Sequence, residues 1–205
     1  MNLAWQYQEN GLSISPQIFY HQIDDYIQGT PSQNMAANMV GTIMAGKAPL
    51  QFNNIDAYLY GGDVNMAWRL NNAWQLSSVV SYVKGKRLDI NDDLYRIAPL
   101  NARITAYYRA GNWQSQLTIS AYAKQTHVSE LNNEKESAGY GTLDWQLDYD
   151  VNTQLRLNFG ISNLLDKAYS PHLNGVNRAM GSSINVGEAV PEVGRNVFVG
   201  FNYHL

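Results

Sequence analysis

Apolar and polar residues alternate with a period of two along most of the chain, the pattern of strands with one apolar face. Leu143, Trp145, Leu147, Tyr149 and Val151 interleave with Thr142, Asp144, Gln146, Asp148 and Asp150. Leu155, Leu157, Phe159 and Ile161 interleave with Gln154, Arg156, Asn158 and Ser162. The last run places Val197, Val199, Phe201, Tyr203 and Leu205 on one face and Asn196, Gly200, Asn202 and His204 on the other, with Phe198 as the exception. Upstream, Leu3/Trp5/Tyr7, Leu12/Ile14/Ile18/Tyr20, Val64/Met66/Trp68/Leu70, Trp74/Leu76/Val80/Tyr82, Ile104/Ala106/Tyr108 and Trp113/Leu117/Ile119 repeat the signal. Apolar residues fall on odd positions at Ile55, Ala57 and Leu59 but on even ones from Val64. The switch coincides with Gly61-Gly62, which predicts a bulge inside one long strand.

The pattern predicts nine strands, at about 2–9, 11–22, 51–70, 73–84, 101–110, 113–124, 139–150, 153–163 and 195–205. Tight turns at Glu9-Asn10-Gly11, Asn71-Asn72-Ala73, Ala110-Gly111-Asn112 and 150–153 alternate with long polar loops at about 23–50, 85–100, 124–138 and 163–195. Short turns at one end and long loops at the other is the layout of a transmembrane β-barrel. Loops of that length count against a compact soluble β-sandwich, the rival reading. Trp5, Tyr20, Trp74, Tyr82, Trp113 and Tyr140 near strand ends suit interfacial aromatic girdles.

Composition narrows the reading. Only 15% of residues are charged, the net charge is −3 and there is no cysteine. Disulfides and thiolate metal sites are excluded, and nothing favours nucleic acid. No window holds the ~20 apolar residues of a membrane-spanning helix. The segment Met1-Asn2-Leu3-Ala4-Trp5-Gln6 shows no signal-peptide pattern. An odd strand number cannot close as an antiparallel up-and-down barrel, and an open edge facing lipid costs several kcal/mol per unpaired backbone group. The expectation is a wall segment spanning residues 1–205, whose missing strands lie upstream.

Several motifs carry a family likeness. Asn163-Leu164-Leu165-Asp166-Lys167-Ala168-Tyr169, followed by Gly194-Arg195-Asn196 and a final alternating strand, resembles the end of a TonB-dependent receptor barrel, with leucine at 165 and 205 where that family usually has phenylalanine. Asp24–Gly29, Asp92–Leu100, Val128–Glu134 and Pro171–Asn177 resemble the copper-receptor branch. The resemblance implies an all-β, antiparallel transmembrane barrel of 22 strands in the bacterial outer membrane, with this chain as the last nine. The N-terminal plug, the first strands and the TonB-contacting segment would be missing partners, and outer-membrane lipid a further one. It implies a receptor for a metal ion, copper favoured, or a metal chelate. A ferric-siderophore receptor fragment and a passive pore are the alternatives. Copper would be cargo rather than a resident cofactor.

Candidate chemistry is sparse. Met35, Met39 and Met44 share one loop, and thioethers suit Cu(I). His21 ends a predicted strand that could approach them. His127 and His172 lie in two further loops and complete the candidate metal-ligand set, against the plainer reading of solvent-exposed loop histidines. His204, Asp144, Asp148, Arg103, Arg109 and Arg156 are expected on the polar inner face, because a charge facing lipid costs about 2–4 kcal/mol at mid-membrane. Asp24-Asp25 and Asp92-Asp93 read as loop-base residues that bond turns or pair with Arg87 or Arg96. No nucleophile elbow, zinc signature or phosphate loop occurs, so no enzyme activity is expected.

Overall fold

The structure, a computed structural model, describes residues 1–204. Leu205, expected on the apolar face of the last strand, lies outside the described residues. The chain forms one antiparallel sheet of ten segments: β1 (Asn2–Ala4), β2 (Tyr7–Glu9), β3 (Leu12–Pro31), β4 (Leu50–Arg69), β5 (Trp74–Arg87), β6 (Asn101–Ala110), β7 (Trp113–Tyr122), β8 (Tyr140–Asp150), β9 (Leu155–Ser162) and β10 (Asn196–Tyr203). One helix, α1 (Met35–Ala45), interrupts the β3–β4 connection. β1 and β2 both pair with β3 and share one lane, so the sheet is nine lanes wide. It is not closed. No second sheet packs on it among the described residues, which removes the sandwich.

Turn chemistry sets one end. Asn10 and Gly11 take φ of 48° and 79° between Glu9 and Leu12, as a two-residue hairpin with a right-handed strand twist requires. The Asn71 side chain caps Ala73 and Trp74, and that of Asn152 caps Gln154 and Leu155, the same device used twice. At the opposite end lie the four long connections.

One face of the sheet carries the apolar series. Ile18, Val64, Val80, Ile104, Leu117, Ile119, Val197, Val199, Phe201 and Tyr203 are all exposed on it, Val199 to 78%. The other face is polar and concave enough that side chains from β5 to β10 border one cavity of about 450 Å³. Phe198, out of phase in the sequence, is explained here: its ring covers Gly160, its cross-strand partner, on the inner face.

The lanes differ in height. β3 and β4 run 20 residues each, whereas β6 and β7 run 10. At about 3.3 Å per residue the tall hairpin rises roughly 30 Å past its shorter neighbours. The loop predicted at 23–50 is therefore about one third strand, with α1 taking up a similar share.

The predicted bulge is misplaced. Pairing of β4 with both neighbours runs unbroken through Gly61 and Gly62. The register shift lies in β3 between Ile23 and Tyr26, with Asp25 at φ 59°. The apolar parity of β4 changes for another reason. Ile55 and Ala57 face inward, where Leu94 from the β5–β6 loop covers them, and Tyr26, Leu59 and Ile97 complete this small core. Lower down, the apolar side faces outward. What covers the strand changes, while its register does not.

Candidate functional site

The loop end of the sheet is a folded cap rather than four separate loops. Asp92 is buried and accepts from Ser129 Oγ at 2.8 Å, from the Glu130 amide at 2.8 Å and from the Leu131 amide at 3.3 Å. Glu134, from the same β7–β8 loop, accepts from the Ser129 amide at 2.8 Å and from the Arg96 amide at 3.0 Å. Two carboxylates thus bind loop 88–100 to loop 123–139. Carboxylates that accept several backbone N–H groups make stronger bonds than neutral acceptors. Arg87 pairs with Asp89, at 2.6 Å, and not with Asp92 or Asp93. That pairing holds the exposed Asp89 carboxyl below its usual range.

The third tie is His172. It sits in a single 3-10 turn, His172–Asn174, and is buried. Its Nε2 lies 3.1 Å from Glu134 Oε1, off the ring's donor direction, and its Nδ1 3.1 Å from Ser137 Oγ. A solvent-exposed loop histidine does not describe this residue. Loop 163–195 is thereby fastened to loop 123–139.

The Asn163–Tyr169 motif anchors the base of that long loop. Buried Asn163 exchanges two bonds with Lys167 at 2.9 Å, and its amide donates to Asp144 at 2.7 Å. Asp166 accepts from the Arg195 amide at 2.8 Å and faces its guanidinium at 3.6 Å, joining the two ends of the loop. Tyr169 stacks on Tyr140, which stacks on Tyr122, with centroids 4.4 and 4.6 Å apart. These three rings border an inner cavity at the mouth, together with Asp144 and His172. Tyr140 therefore belongs to the inner wall and not to an outer girdle. The girdle does form at the turn end, where Trp74 meets Tyr108 at 4.8 Å and Trp113 meets Tyr149 at 4.3 Å.

The five sequence candidates for metal occupy separate places. Asn34 caps α1 through the Ala37 amide at 3.0 Å, and Gly46 ends it at φ 71°. Met35 and Met39, one turn apart, differ by about 40° around the axis, while Met44 lies about 180° from Met35. The helix thus groups two thioethers, both exposed, and turns the third away. His127 lies 3.1 Å from Lys84 Nζ and 3.7 Å from Asp93, so an ammonium already occupies its approach. His172 is buried, with Nδ1 bonded to Ser137 and Nε2 facing Glu134. No group of three His, Cys, Asp or Glu side chains suited to a metal occurs among the described residues. His21, on β3 well short of α1, bonds Asn2 at 2.6 Å. Of the inner-face charges, Arg156 pairs with Asp150 at 2.5 Å.

Comparison with known proteins places this architecture. No curated protein matches the sequence. Among solved structures, a copper transporter, OprC, superposes with a TM-score of 0.85 at 24% identity, covering 98% of this chain and 30% of that one. The FrpB iron transporter from Neisseria meningitidis (F3-3 variant) gives 0.71 at 17% identity, covering 98% and 30%. The ferric yersiniabactin uptake receptor FyuA from Yersinia pestis gives 0.69 at 16%, covering 98% and 29%. At these identities the likeness establishes the fold, and the chain spans about 30% of the length of each of these proteins. The sequence model of the family described as TonB dependent receptor-like, beta-barrel matches residues 1–164, so the chain belongs to the TonB-dependent receptor β-barrel family, whose members are transporters rather than enzymes.

Proposed function

We propose that the chain is barrel wall and extracellular cap of a TonB-dependent outer-membrane receptor for a metal ion or metal chelate. The observation that carries the reading is the two-sidedness of a single sheet. A continuous exposed apolar face opposes a polar concave face, and a soluble monomer has no use for so large an apolar surface. The apolar face meets lipid, the turns lie at the periplasmic end and the cap faces outward. The family and the fold relatives support this orientation.

Nine lanes leave two free edges, the β1/β2 lane and β10, and these run parallel. An antiparallel seam between them is impossible. The completing wall is then a set of further strands from the same receptor, with a plug and a TonB-contacting segment among its other parts. Refolding tests this through heat-modifiable electrophoretic migration. The chain alone should give no heat-modifiable species, and adding the receptor's remaining strands in trans should restore one. A closed, heat-modifiable barrel from this chain alone overturns the proposal and favours an independent pore.

For the cargo, copper is favoured by the paired thioethers of Met35 and Met39 on the outward-facing helix, since thioethers are soft ligands for Cu(I). The fold relative titled a copper transporter supports the same choice.

A further inference from the structure

The long loop 163–195 reaches back across the sheet. It leaves β9, yet Arg178 Nη2 donates to the Ala48 carbonyl at 3.0 Å beside β4, and Val186 packs on Gly46 at the end of α1. The lanes of β4 and β9 are five spacings apart, roughly 24 Å along the sheet, so the loop bridges the concave mouth. Lys135 joins from the β7–β8 loop, donating to the Gly187 carbonyl at 3.1 Å. Lys47, Lys135 and Arg178 come from three different loops and border one cleft of about 100 Å³.

These three cations outnumber the two acids of the cleft, Glu134 and Glu136. None of the three forms an ion pair among the described residues. Of the two acids, Glu134 accepts from the Ser129 and Arg96 amides, and Glu136 pairs with Lys124 at 2.5 Å. Partial burial, then the nearby Arg178 and Lys135, push the Lys47 ammonium below the usual lysine range. Three cations that outnumber the acids around them repel one another, and an anion placed among them lowers that cost.

We propose that this cleft binds an oxyanion, a carboxylate or phosphate-type group carried by an anionic ligand. The size decides against a whole chelate, because drug-sized ligands need about 300 Å³ or more. Arg178 offers a planar fork for two oxygens, and the lysines add point charges. The site stands on the cleft's own geometry and relies on the receptor reading only for its outward orientation.

The test uses the detergent-purified receptor that contains this chain. It is titrated calorimetrically with inorganic phosphate and with citrate, and separately with lipid A in mixed micelles. Saturable binding is expected, weakening as salt is raised. It should fall about tenfold or more in Arg178→Gln and in Lys135→Gln, the scale of one lost bond to a charged group, and hold in Lys167→Gln. A heat-modifiable band confirms that each variant is folded. Saturation by phosphate or citrate identifies a free anion, and saturation by lipid A alone identifies a glycolipid headgroup; both sustain the oxyanion site. No binding of any probe, or equal binding in all variants, overturns it. Metal uptake is measured in parallel. A receptor that imports metal but binds no oxyanion sinks this site alone, and one that binds the oxyanion but imports no metal sinks the receptor reading alone.

Discussion

Asp92 in the β5–β6 loop takes the Ser129 hydroxyl of the β7–β8 loop at 2.8 Å, and both side chains are buried. A carboxylate buried at such a place persists because its oxygens are filled by three donors from one neighbouring loop. Asp92→Ala should loosen residues 129–131 from loop 88–100 while the Glu134–Arg96 tie remains, with about 1.5–3 kcal/mol lost per bond to the charged group. Amide hydrogen exchange should rise at Glu130 and Leu131, whose amides donate to Asp92, and stay constant in β6 and β7. Unchanged exchange at those two amides would show that the tie does not hold the cap.

The Phe198–Gly160 pair gives a prediction about the wall. Gly160→Ala places a methyl in the space the Phe198 ring fills, so the ring must move, at a cost of about 1–3 kcal/mol. Phe198→Ala uncovers the Gly160 backbone and should also destabilise the β9–β10 pairing. The double variant should recover part of the Gly160→Ala loss, because the clash is gone. Additive losses in urea unfolding of the receptor would refute the coupling.

Sidedness can be tested with charge. Ile104 lies mid-strand on the apolar face, and Gln116 on the inner face bonds Gln146 at 2.9 Å. Ile104→Arg should cost about 2–4 kcal/mol in a lipid-facing position, while Gln116→Arg should cost far less. Equal unfolding midpoints in lipid vesicles would contradict the assignment of faces.

For the helix in the tall hairpin, geometry separates the methionines. Met35→Ala with Met39→Ala should weaken Cu(I) binding to the receptor by at least the about tenfold loss that follows removal of a group merely supporting a ligand. Met44→Ala should leave it intact, since Met44 points away. Unchanged affinity in the first variant removes α1 from the metal path, measured by competition with a Cu(I) chelator.

The wall was legible in the sequence because strand periodicity is local. Leu143 to Val151 or Val197 to Tyr203 need no knowledge of their neighbours. Gly61-Gly62 misled for a physical reason. A parity change signals a bulge only if the same face stays covered, and here Leu94 covers Ile55 and Ala57 from inside while the lower strand turns its apolar side out. The helix was missed although Asn34, Gly46 and Pro49 are start and stop signals, because a loop rich in small and polar residues masked them. The burial of His172 was not legible at all. It depends on Glu134 and Ser137, which the fold brings from another loop.

The nine-lane width has a consequence for who can join this wall. Because both margins run downward, a second copy inserted the same way meets the first with strands pointing in the same direction, whichever margins touch. No ring of identical copies seals with antiparallel seams. Parity of strand number therefore acts as a recognition code, rejecting self-association and admitting only a neighbour with an odd number of strands and both margins running upward.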